Sequence, residues 1–86
     1  MVFNVAMRLD KYLKVSRIIK RRTVANEACG ENLVYVNGKA VKPSYDVKIG
    51  DVIEVHYGSR VTKFRVVSIL ETTKKAEASE MYEVLE

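Results

Sequence analysis

Leu9, Tyr12, Leu13 and Ser16 stand at i, i+3, i+4 and i+7, the spacing of one buried stripe on a helix running from about Arg8 to Ser16. At 100° per residue Lys11 and Lys14 fall opposite that stripe, and Asp10 in the first turn suits the positive end of the helix dipole. A second helix is predicted from about Thr23 to Cys29, with Thr23 as N-cap, Val24, Ala25, Ala28 and Cys29 inward, and Gly30 as its stop. Between them, Arg17-Ile18-Ile19-Lys20-Arg21-Arg22 sets four cations around two apolar residues that would anchor the connection in the core.

After Gly30 the period changes to two. Leu33 to Val36, Asn37-Gly38 and Lys39 to Val41 read as a hairpin with a type I′ turn, since Asn-Gly is the pair that accepts two consecutive positive φ angles. Pro43 and Ser44 interrupt the pattern, and Gly50-Asp51 makes a further turn. Val52 to Tyr57 has strand content, and Gly58-Ser59 reverses the chain into Arg60 to Leu70, with Thr62, Phe64 and Val66 inward and Lys63 and Arg65 toward water. The segment from Thr72 to Glu86, with Ala76, Ala78, Met81, Val84 and Leu85 among acids, reads as a short helix. The fold class expected is α+β: two N-terminal helices packed on a small antiparallel sheet, with a short helical tail, in one domain spanning 1–86.

Apolar residues at 48% and charged residues at 30% describe a folding chain rather than a disordered one. No apolar run approaches the roughly 20 residues that cross a bilayer, the opening residues lack a charged leader, and the lone Cys29 allows no internal disulfide. A cytoplasmic monomer is therefore expected. Net charge is +4, unevenly spread: residues 1–42 hold nine Lys or Arg against three acids, while the rest hold six against eight. That asymmetry points to a polyanion on one face, with RNA, DNA and acidic membrane all still open.

Candidate chemistry is sparse. His56 has no Cys, His or carboxylate at metal-ligand spacing, Cys29 has no activating base, and Glu77 and Glu80 share a helix face without any signal of a cleft. Phosphate-cradling glycine loops and nucleophile elbows are missing, so no enzyme, metal site or cofactor is expected. Tyr12 and Tyr35 have the flat faces that stack on bases, but their spacing suits core positions better.

Met7 to Arg17, Lys20-Arg21-Arg22-Thr23, Val34 to Lys39 and Val47 to Ile53 together resemble the RNA-binding domain named after small-subunit ribosomal protein S-four, the alpha-L motif. The likeness covers about residues 7–57 and rests on Arg-Leu-Asp, Val-Asn-Gly and Gly-Asp at these separations. It implies RNA contacts from the two helices and their connection, here Arg8, Lys11, Lys14, Arg17, Lys20, Arg21, Arg22 and Thr23, with Lys39 added from the hairpin. Where members often carry lysine in the second helix, this chain has Asn26.

The short length, Thr72 to Lys75 and Met81-Tyr82 are similar to the ribosome quality-control branch of the family, and less closely to the fifteen-kilodalton heat-shock branch. The resemblance implies binding to rRNA and peptidyl-tRNA on a split large ribosomal subunit, and cooperation with the NEMF-type factor RqcH in adding C-terminal alanines. Other roles found in the family are ribosome assembly or recycling, and an accessory RNA-binding part of pseudouridine synthases, tyrosyl-tRNA synthetases or RNA methyltransferases. A separate alternative, read from the residues, is a protein-interaction module in the acidic tail from Glu71 to Glu86 as a secondary function.

Overall fold

The computed structural model describes residues 7–69, 78 and 80–85. Its elements in chain order are β1 (Met7–Arg8), α1 (Leu9–Val15), α2 (Arg22–Gly30), β2 (Val34–Val36), β3 (Lys39–Ala40), β4 (Asp46–Val47), β5 (Val52–Tyr57), β6 (Arg60–Val66) and β7 (Tyr82–Leu85). This is an α+β fold, as the change of period at Gly30 predicts.

Strands β3-β2-β5-β6-β7 form one antiparallel sheet in that order. Its inner face carries Val34, Val36, Ile53, Val55, Phe64 and Val66, which share one buried cluster with Leu9, Tyr12, Leu13, Ala25, Ala28 and Cys29 of the helices. The hairpin turn is the expected one: Asn37 at φ 53° and Gly38 at φ 85° both occupy the left-handed region that a type I′ turn requires. Asp51, 7% exposed, locks this turn to the next. Its carboxylate accepts hydrogen bonds from Asn37 Nδ2 (3.1 Å), Tyr45 Oη (2.9 Å) and the Lys48 backbone N–H (2.9 Å), while Asn37 Oδ1 accepts the Val52 N–H at 3.0 Å. The Val-Asn-Gly and Gly-Asp pieces are thus two halves of one structural lock.

Four expectations are corrected. The tail ends in a strand rather than a helix: Ala78 is helical, but Tyr82–Leu85 pairs Tyr82 with Val66 and Val84 with Phe64. Sheet pairing and the Phe64–Tyr82 edge contact (5.2 Å between centroids) outweigh the helix propensity of the neighbouring alanines; Thr72–Glu77, Ser79 and Glu86, like Leu70 of the expected long β6, lie outside the described residues. Thr23 lies inside α2, whose N-cap is Arg21, and no side chain caps that end. Gly30 remains helical, and the left-handed residue that ends the turn is Asn32 (φ 59°). Val24 is 42% exposed rather than inward, because α2 turns the arc of Ala25, Ala28 and Cys29 to the core and Val24, about 100° around the helix from Ala25, falls outside that arc.

A two-residue ladder went unpredicted: β1 pairs with β4, Met7 with Val47 and Arg8 with Asp46. It brings the start of α1 against the loop after the hairpin, where the Leu9 and Asp10 N–H groups donate to the Tyr45 and Pro43 carbonyls at 2.8 and 3.2 Å.

Candidate nucleic-acid interface

The basic residues are organised around a buried carboxylate. Asp10 is 2% exposed, at the first turn of α1. Arg8 reaches it with two guanidinium nitrogens, Nε to Oδ1 and Nη2 to Oδ2, both at 3.2 Å. Arg22, from the first position of α2, lies 3.5 Å from Oδ1. Asn26 Nδ2, one turn further along α2, donates to Oδ2 at 3.2 Å, and the Lys11 backbone N–H donates to Oδ1 at 2.8 Å. One carboxylate therefore ties β1, α1 and α2 together and holds two arginines side by side.

Burial alone would raise the Asp10 carboxyl above its ordinary 3.8, but the Asn26 and Lys11 hydrogen bonds and the Arg22 and Arg8 charges outweigh it and hold the pKa lower. The group is an anion at any physiological pH. The side chains of Arg8 and Arg22 remain 48% and 49% exposed, so each has donors directed to Asp10 and donors left for water or a ligand.

Arg17, Lys20 and Arg21 are exposed on the connection between the helices. That connection is fixed by Ile19, 4% exposed, whose N–H donates to the Leu13 carbonyl at 3.0 Å. Arg17 sits at φ 63°, just beyond the C-cap Ser16 of α1, a position where glycine is the cheapest residue. Lys14 is exposed on α1 and Lys11 half-buried; Thr23 is exposed in the first turn of α2. With no acid in that first turn and no side-chain cap, the positive end of the α2 dipole adds to the cationic field. Lys39 is exposed on a different element, the edge strand β3.

Sequence reasoning found the cations and missed their organiser. Asp10 reads as a dipole partner for α1, and Asn26 as a departure from the usual lysine; their contact spans 16 residues and shows only in three dimensions. The tyrosines divide. Tyr12 is fully buried, its hydroxyl donating to the Met81 carbonyl at 2.8 Å, and burial together with Tyr82 pushes its pKa up out of any working range. Tyr35 is half-buried on the outer sheet face against His56, with centroids 4.8 Å apart. Cys29 is buried, and burial, reinforced by the Asp10 charge, pushes its thiol up to about 11, which makes it a poor nucleophile. Among the described residues no group of three or more His, Cys, Asp or Glu is placed to hold a metal ion, and no helix is long and apolar enough to cross a membrane.

Two helices joined by a basic connection, an acid-anchored arginine pair and a Val-Asn-Gly hairpin locked to Gly-Asp define a class: the S4 domain matches residues 7–53, and the chain belongs to that family. Within it, the chain is 48% identical over 79 residues to the "RQC P-site tRNA stabilizing factor" of Streptococcus pneumoniae, covering 92% of this chain and 90% of that protein. The protein of the same name from Bacillus subtilis is also 48% identical, covering 92% of each. Among solved structures, the trimeric heat shock protein 15 of Vibrio cholerae superposes with a TM-score of 0.86 at 29% identity, over 94% of this chain and 83% of that one.

Proposed function

We propose that this protein is a non-catalytic RNA-binding factor of ribosome quality control, gripping rRNA and tRNA through the basic face of its two helices. The observation that carries the reading is the Arg8–Asp10–Arg22 cluster: two guanidinium groups fixed in adjacent positions on the exposed side of a buried acid. Arginines so held lose little side-chain freedom on meeting a phosphate, and their planar donors suit its oxygens. Arg17, Lys20 and Arg21 extend the surface along the connection, with Lys11, Lys14 and Thr23 on the helices and Lys39 on the hairpin as further contacts. Such contacts position the protein on RNA more than they read its sequence.

The names of the similar proteins supply the setting, a tRNA held in the P site during ribosome quality control. In this role the protein, a cytoplasmic monomer and a single domain over 1–86, bridges large-subunit rRNA and the peptidyl-tRNA of a stalled chain. It keeps that tRNA placed while RqcH, a NEMF-type partner, brings alanyl-tRNA for C-terminal tailing. The test is affinity purification of tagged wild type and Arg8→Ala/Arg22→Ala from cells. Large subunits with tRNA and the tailing factor should accompany the wild type and be lost with the variant. The superposition on heat shock protein 15 favours a second reading, a recycling factor with no part in tailing; recovery of large subunits without the tailing factor would select it.

A further inference from the structure

A groove of about 450 Å³ lies beside the arginine cluster, lined by Ile18, Ile19, Lys20, Arg21, Val24 and Tyr57. It is formed where the connection and first turn of α2 face the end of β5, and it holds features the core does not explain. Val24 is 42% and Tyr57 49% exposed, although both are large apolar groups that would gain from being covered. Two of its six lining residues are cations and none is an acid. One of its cations, Arg21, directly precedes Arg22 of the cluster already described. Its volume falls in the range of small-ligand sites, which run from roughly 300 to 1,000 Å³.

The occupant this combination fits is flat and apolar on its faces, joined to phosphate on its edge, and carried by the same polyanion that meets Arg22. An acidic peptide would match the charge but not the flat aromatic wall, and a membrane would need a broader apolar surface than Val24 and Tyr57 supply. We propose that the groove takes one unpaired nucleobase of the bound RNA, stacked on Tyr57 against Ile18 and Val24, with its flanking phosphates on Lys20 and Arg21. This rests on the RNA-binding reading above and adds to it a preference that phosphate contacts alone do not give: RNA with an extruded nucleotide over the same RNA fully paired.

The test uses five RNA hairpins, identical except that four carry a single bulged A, C, G or U and one carries none. Affinities are measured by fluorescence anisotropy for wild type, Tyr57→Ala and Tyr57→Phe, with thermal melts confirming that all three fold. Stacking on an aromatic side chain is worth enough per base to give about a tenfold preference for at least one bulged hairpin. Tyr57→Ala should lose that preference while keeping wild-type affinity for the paired hairpin, and Tyr57→Phe should retain it. With 2-aminopurine as the bulged base, binding should change its fluorescence in wild type and Tyr57→Phe but not in Tyr57→Ala. Equal wild-type affinity for all five hairpins, or a preference that survives Tyr57→Ala, overturns the base pocket and leaves the phosphate grip standing. Failure to bind any hairpin at low salt overturns the RNA-binding reading itself.

Discussion

Asp10 concentrates more of the site in one side chain than any cation does. Replacing it with Asn keeps the shape but removes the charge that both arginines answer, and losing hydrogen bonds to a charged group costs about 1–3 kcal/mol. A urea melt of Asp10→Asn should show that loss. Because the folded-state pKa lies below 3.8, the cluster contributes fully at neutral pH and down to about pH 5, and its contribution disappears as pH falls through the depressed value. The acid limb of a wild-type stability curve should therefore be steeper than that of the variant. Arg17 makes the opposite case. An L-residue at φ 63° costs on the order of 1 kcal/mol relative to glycine, so Arg17→Gly should raise stability by about 0.5–1 kcal/mol. If its guanidinium meets a phosphate, the same change should weaken RNA binding and flatten the log-log salt slope by about 0.7–0.9. A gain in stability with no loss of affinity would remove Arg17 from the interface.

At the scale of elements, β7 is held by more than its ladder to β6. Tyr12 Oη donates to the Met81 carbonyl, which also accepts the Val67 and Ser68 N–H groups at 2.8 and 3.1 Å. Tyr12→Phe therefore removes one bond without orphaning its acceptor, and should cost about 1 kcal/mol in a denaturant melt while speeding amide exchange in β7. Elements with a local signature were legible from sequence: the Asn37-Gly38 hairpin, the 3.6-residue stripe of α1, and the alternation of β6 through Thr62, Phe64 and Val66. Those defined by distant partners were not. Two-residue strands such as β1 and β4 carry no period, and Tyr82-Glu83-Val84-Leu85 beside alanines reads as helix until Phe64 and Val66 are there to pair with it. The same division runs through the site, where cations cluster visibly along the chain but the Asp10 contacts to Arg22 and Asn26 close only once α2 has packed.

For the whole molecule the asymmetry of charge sets the measurable behaviour. With about five phosphate contacts, the slope of log affinity against log salt should be roughly −3.5 to −4.5, and a slope near zero would dispose of the phosphate grip. The far side of the fold imposes a different kind of constraint. Tyr12 and its acceptor at Met81 are separated by 69 residues, nearly the span of the chain. Joining ends that distant costs ~4 kcal/mol of chain entropy before any contact is made. During synthesis the hydroxyl emerges 69 residues before its acceptor, so β6 keeps an open hydrogen-bonding edge until β7 is delivered. A chain cut short before Met81 would be left with that edge bare, exposed to pairing with other unfinished chains.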